Sequence, residues 1–136
     1  NEYEWQALFS KHTQSYYATR SQMVCGKREF FYMHRVVAGT PKGMKTDHVN
    51  RKTLDNQEHN LRVCTNSQNM MNSGLRIDNT SGYKGVCKHR EKWQAKIKVN
   101  KKYESLGVFS TPEEAAHAYD EGAKKYYGEF AVLNFQ

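Results

Sequence analysis

The chain has no apolar run approaching the roughly 18 to 20 residues that cross a bilayer, and no N-terminal segment resembles a secretory signal. These absences predict a soluble, intracellular protein with no membrane partner. Cysteine is scarce: Cys25, Cys64 and Cys87 are odd in number, widely spaced and without a CxxC pair. That pattern argues against a disulfide framework and predicts no structural zinc, so all three are expected as free thiols. Apolar residues make up only 38% of the 136 positions, too few for one large core. Two small modules are therefore expected, each stabilised by compact local topology or by its ligand.

What the chain has in excess is positive charge, +7 net, which suits a polyanionic partner. The charge is polarised. Residues 83–103 hold eight Lys or Arg against one acid, whereas residues 104–136 hold two Lys against six acids, so one surface is built for phosphates.

Along the first half, Trp5, Leu8 and Phe9 followed by Tyr16, Tyr17 and Ala18 predict a short helix and then a strand. Glu29 to Met33 predicts a second strand, and His34 to Gly39 a short helix ended by the glycine. After a turn at residues 40–43, the pattern is a strand into Asp47-His48, a polar loop, a strand at Leu61 to Cys64 and a helix from about Ser67. Residues 73–82, SGLRIDNTSG, have the composition of a linking arm.

The last segment predicts three strands and a helix. Trp93, Ala95, Ile97 and Val99 alternate with Gln94, Lys96, Lys98 and Asn100, the period of a strand with one buried and one basic face. Thr111-Pro112-Glu113-Glu114 combines a cap, a first-turn proline and a capping-box glutamate. Beyond it, Ala115, Ala118, Tyr119, Gly122, Ala123 and Tyr126 predict a stripe of mostly small residues, and Gly128 the end of the helix.

Chemistry concentrates in TDHVNRKTLDNQEHNLRVCTNSQNMMN, where Asp47-His48, Asn60 and Asn69 recur at separations of 12 and 9 residues. Cutting a phosphodiester needs an activated water, a neutralised phosphate and a stabilised leaving oxygen, and a hard divalent cation can supply the last two. Mg²⁺ prefers oxygen ligands, one or two of them from protein; the Asp47 carboxylate and the Asn69 amide oxygen would suffice, with Asn72, one helical turn on, as the rival ligand. Histidine is suited to take a proton near neutral pH, which makes His48 the candidate general base. Asn60 cannot titrate; it would hold the hairpin or orient the His48 ring. Asn56 is expected only in a turn, and His34 and His59 in structural or phosphate-contact roles.

In this order, with the flanking LDN and NLR triplets and His34-Arg35 upstream, the segment resembles the HNH nucleases. That resemblance implies two strands and a helix around one divalent metal, Mg²⁺ or Mn²⁺, and hydrolysis to 5′-phosphate and 3′-hydroxyl ends. Many members carry histidine where this chain has Asn69.

Residues 82–135 resemble the DNA-binding domain of plant ethylene-response factors, the apetala type, through YKGV, the W-x-A-x-I strand, LGVF-x-T-x-EEAA-x-AYD and the closing LNF. The resemblance implies a three-stranded sheet laid in the major groove of double-stranded DNA, with a helix behind it. Lys84, Gly85, Cys87, His89, Lys96, Lys98, Tyr103 and Ser105 fall where that family touches DNA. Lys88, Arg90, Lys92, Lys98 and Lys102 are suited to phosphates, and Lys84 or Lys96 to guanine. Arginines expected near Cys87, His89 and Tyr103 and a tryptophan near Ser105 are absent, so the plant target sequence does not transfer.

The expectation is thus an α+β chain: residues 1–72 a ββα-metal nuclease module, 73–82 an arm, and 83–136 the DNA-recognition module. Such fusions resemble homing-type endonucleases, which implies action in the cytoplasm of a bacterial or phage-infected cell. One metal site per chain favours nicking, and a monomer is expected. The alternatives are a non-catalytic DNA-binding or regulatory protein that retains a nuclease fold and, more distantly, an RNA-binding module.

Overall fold

The computed structural model describes residues 4–136 and divides the chain into two compact units, residues 1–69 and 70–136. Among the described residues no helix is long and apolar enough to cross a membrane.

In the N-terminal unit, β1 (Gln6–Ser10), β2 (Ser15–Val24) and β3 (Lys27–Tyr32) form an antiparallel sheet in the order β1-β2-β3. The expected N-terminal helix is a strand instead. Leu8 and Phe9 pair across β1–β2 with Tyr17 and Tyr16. Cross-strand packing of aromatic side chains decides what a short apolar run with helical spacing leaves ambiguous. The β2–β3 hairpin closes through Cys25 and Gly26 at φ 47° and 75°, the positive-φ pair that matches the twist of the strands. Helix α1 (Met33–Val37) follows, and Gly39 stands just beyond it at φ 57°. Strands β4 (Lys45–His48) and β5 (Leu61–Cys64) then pair antiparallel, Asp47 opposite Arg62 and His48 opposite Leu61. Helix α2 (Asn66–Met71) follows, and the boundary between the units falls within it, after Asn69.

The interior of this unit is unusual in kind. Among its described residues the buried positions are Thr19, Asp47, His48, Asn60 and Cys64, four of them polar. Burying polar groups costs free energy unless each is hydrogen-bonded or paired, so the fully buried positions of this unit depend on their hydrogen bonds and on the Asp47 ion pair. Local rules broken in this way mark functional sites.

The C-terminal unit is organised in the opposite manner. Strands β6 (Val86–His89), β7 (Lys92–Val99) and β8 (Lys102–Phe109) form an antiparallel sheet backed by α3 (Pro112–Tyr127). The β7–β8 turn places Asn100 and Lys101 at φ 49° and 66°. Thr111 caps α3 through the expected capping box with Glu114, and Gly128 ends it. Val86, Ala95, Ile97, Ala115, Ala116, Tyr119 and Ala123 make the core. The stripe on α3 differs from expectation at two places: Ala116 is buried, and Tyr126 is exposed while Tyr127 is half-buried. Tyr127 lies one helical turn from Ala123, and its hydroxyl donates to the Lys98 carbonyl at 2.7 Å, which ties the helix to the end of β7.

Two further features were not legible in the periodicity. Asp120 is buried on α3 and accepts hydrogen bonds from the backbone N–H groups of Asn134 and Phe135; Asn134 in turn accepts from the Lys84 backbone at 2.6 Å. The chain end is thereby clasped to both helix and sheet. The segment expected as an arm also belongs to this unit. The Ser81 hydroxyl bonds the Val86 carbonyl at 2.9 Å, and Asn79 bonds the Tyr83 carbonyl and the Gly82 N–H. Its Asn, Ser and Gly residues serve as turn-formers rather than as flexible spacer.

Candidate functional site

Asp47 and His48 are the last two residues of β4, and both are buried. The loop after them is held by its own polar side chains. Asn60 accepts from the Asn50 backbone N–H at 2.9 Å and donates to the Asp55 carbonyl at 2.8 Å, while the Val49 N–H donates to the Asn60 carbonyl. Asn50 adds a bond to the Asp55 carboxylate, and the Thr53 hydroxyl anchors the loop to the Tyr16 carbonyl on β2. Asn60 therefore fastens the hairpin, one of its two expected roles.

The ring of His48 is contacted instead by Asn56, whose Oδ1 lies 3.0 Å from Nε2. An amide oxygen can only accept, so Nε2–H is the donor of this bond. Asn56 is thus more than the turn residue expected of it, although it also bonds the Leu54 carbonyl. The signal available in the sequence was its place in LDN, eight residues after His48.

The His34-Arg35 pair acquires a structural reason. Arg35 donates to the carbonyls of Met44 and Pro41 at 2.9 and 3.2 Å, fixing the turn that feeds β4. The His34 ring lies edge-on to His48 with centroids 5.2 Å apart, and Tyr17 and Tyr32 pack on its other sides at 5.6 and 5.4 Å. His34 Nδ1 is buried without a hydrogen-bond partner. Burial, and then the charges of His48 and Arg35, push its pKa down to about 4. His59 is exposed.

The depressed His34 pKa has a stability consequence with a definite sign. Above the ordinary histidine pKa of 6.5 both folded and unfolded chains hold this ring neutral. Between 6.5 and about 4 only the unfolded chain takes up the proton, so stability falls with pH across that window. The urea midpoint of the N-terminal unit is expected to drop between pH 7 and pH 5, and His34→Gln to flatten that dependence; an equal drop in the variant would assign the effect to other groups.

Asp47 is not a bare carboxylate. Directly across the ladder, Arg62 places Nε 2.8 Å and Nη2 2.7 Å from the same oxygen, Oδ2, with the two side chains only 7% and 16% exposed. Removing either charge would strip the other of this buried counter-charge, typically at roughly 3–5 kcal/mol. Cys64 is buried nearby, and its thiol is pushed up first by burial and then by the charge of Asp47, which makes it an unreactive thiol. Asn69 is half-buried on α2, its N–H bonded to the Thr65 carbonyl; Asn72 is buried in the C-terminal unit. Among the described residues no three or more His, Cys, Asp or Glu side chains gather as a metal cage.

In the C-terminal unit the ladder sorts the candidate DNA contacts by face. Gln94, Lys96 and Lys98 stand opposite Val108, Ser105 and Tyr103, and His89 opposite Lys92. The ammonium groups of Lys96 and Lys98 lie 5.3 and 5.7 Å from the Tyr103 ring centre. Lys88 instead pairs with Trp93, on the core side, with its ammonium 4.6 Å from the indole centre. Lys102 pairs with Val99, and Arg90 occupies a hairpin turn at φ 55°. The Lys84 ammonium is engaged by the carbonyls of Met71 and Ser73, so its first role here is to bind backbone.

No family model matches the chain. It is 29% identical over 135 residues, 98% of its length, to an uncharacterized HNH endonuclease of Acanthamoeba polyphaga mimivirus, of which the match covers 68%. Its C-terminal part is 48% identical over 60 residues to an AP2-like ethylene-responsive transcription factor of Arabidopsis thaliana and 46% identical over 59 residues to a second ethylene-responsive transcription factor of that plant. Those segments are 41% and 40% of this chain but only 11% and 14% of the plant proteins.

Proposed function

We propose that the chain is a DNA endonuclease in which the unit of residues 1–69 hydrolyses a phosphodiester with one divalent cation, Mg²⁺ or Mn²⁺, and the C-terminal sheet holds the duplex. The observation that carries this proposal is the Asp47-His48 pair, buried at the end of β4, with the imidazole proton held by Asn56 and the following loop fastened by Asn60. The likenesses to a viral HNH endonuclease and to plant transcription factors point the same way. Neither fixes a target sequence.

The donor types suit a hard cation: the Asp47 carboxylate, buried and facing the Arg62 guanidinium, and the Asn69 amide oxygen on α2. Asp47 and Asn69 would hold the ion. When bound, such an ion neutralises the phosphate and stabilises the leaving oxygen. The remaining work falls to the protein. With Nε2–H given to Asn56, His48 presents Nδ1 to a water and takes its proton as the water attacks phosphorus. The hydrogen bonds of the loop preset that ring, so little reorganisation accompanies the step. On the sheet, Lys96 and Lys98 neutralise phosphates while Tyr103 keeps their ammonium groups at one face.

Incubation of supercoiled plasmid with the protein, in Mg²⁺ or in chelator, tests the proposal: Mg²⁺-dependent nicking is the expected result, and binding without cutting would make the chain a non-catalytic DNA-binding protein. For the sheet, Lys96→Ala with Lys98→Ala should flatten the plot of log affinity against log salt by about 1.8, two phosphate contacts at about 0.9 each. An unchanged slope would take this face out of the interface.

A further inference from the structure

Arg62 entered the sequence reading only as the last residue of the NLR triplet, yet it holds a close charge contact in the candidate active site. Its Nε and Nη2 both point at Asp47 Oδ2 from the facing position of β5, and the pair is largely shut off from solvent. Arginine cannot shed its proton in a protein, so this guanidinium is a permanent cation resting on the carboxylate that a metal would use. It competes for the lone pairs of Oδ2 and repels a dication brought to the same group. A buried pair of this kind adds little net stability compared with an apolar pair of similar volume, so fold stability alone does not account for it. The planar fork of arginine also matches the oxygens of a phosphodiester better than a single carboxylate oxygen.

We propose that Arg62 is a resident counter-cation of Asp47 that keeps metal affinity low in the DNA-free protein and passes to a backbone phosphate when DNA binds, so that DNA and metal bind cooperatively. This rests on the metal-nuclease proposal above. With the guanidinium on the carboxylate, the protein alone discriminates against a dication. With the guanidinium drawn to the phosphate, Asp47 is relieved of this counter-charge and attracts a second positive charge more strongly. By linkage, the factor by which DNA strengthens metal binding equals the factor by which metal strengthens DNA binding. Arg62 acts through Asp47 and is a positioning residue in this scheme, with a second role as phosphate ligand.

The test is binding of Mn²⁺ alone to the full chain, read by electron paramagnetic resonance of the free ion, for wild type, Arg62→Gln, Arg62→Lys and Asp47→Asn. Arg62→Gln keeps a donor for Oδ2 but no charge, and should bind Mn²⁺ about tenfold more tightly, since the repulsion is removed; Arg62→Lys should stay near wild type, and Asp47→Asn should lose the site. Unchanged or weaker binding in Arg62→Gln, with Asp47→Asn still abolishing it, overturns the inference and leaves the metal site standing. Binding indifferent to Asp47→Asn in every background overturns the metal proposal, and this inference with it. Should Arg62→Gln fail to fold, His48→Ala protein with an otherwise native site provides the second measurement. A short duplex should tighten its Asp47-dependent Mn²⁺ binding by about tenfold, and no tightening overturns the inference.

Discussion

His48→Ala is expected to lower the rate of plasmid nicking by about 10²- to 10⁴-fold, the usual contribution of a positioned general base, while leaving affinity for duplex DNA within about twofold. The imidazole is buried and bonded to Asn56, and the cationic residues that would meet phosphates along the sheet lie on β7 and around it. Truncation at His48 therefore removes proton transfer without removing charge from the sheet. Affinity by fluorescence anisotropy and nicking under single-turnover conditions separate the two effects. A parallel loss of both would mean that His48 binds DNA and that its catalytic assignment is mistaken. Loss of the ring also removes the edge contact with His34, so a thermal melt of the variant is the control for folding.

Gly85→Ala should be among the most damaging single changes in the C-terminal unit. Gly85 has φ 75°, and a Cβ built there would lie 1.9 Å from Cδ2 of Tyr119, a buried core ring of α3. The left-handed backbone adds about 1 kcal/mol, and forcing ring and strand apart a further 1–3 kcal/mol. Together they come to about 2–4 kcal/mol, a large share of the roughly 3–10 kcal/mol expected for a unit this size. Gly82→Ala is the matched control: φ is 77° but nothing lies within 4 Å, so only the backbone part of the cost applies. Urea unfolding followed at Trp93 in a Trp5→Phe background reads the difference. Equal losses in the two variants would show that Tyr119 yields and that the close approach at Gly85 does not hold helix against sheet.

The two units were legible to different degrees, and particular residues show why. In the C-terminal unit the alternation through Trp93 to Val99, the capping box at Thr111 and the glycine at position 128 are local signals, each complete within a few residues, and the structure follows them. Around Trp5, Leu8 and Phe9 the local signal was compatible with helix or strand, and pairing with β2 made it a strand. In the candidate site, the spacing of Asp47, His48, Asn60 and Asn69 was visible as a motif. Asn56 and Arg62 were visible only as members of the LDN and NLR triplets; that they partner His48 and Asp47 was not, because those pairings exist only once the loop closes and the ladder sets its register.

The sequence by itself determined the residue chemistry: a basic, alternating strand, a strongly capped helix, and a carboxylate and an imidazole side by side ahead of two spaced asparagines. Only the tertiary structure decided the partnerships: Arg62 across the ladder from Asp47, Asn56 on the His48 ring, His34 against its edge, Lys84 on the Met71 carbonyl and Lys88 over the Trp93 ring. The reason is physical. Periodicity and capping depend on neighbours within about one turn of helix or two residues of strand, whereas a hydrogen bond or ion pair depends on which distant residues the folded backbone brings within about 3 Å.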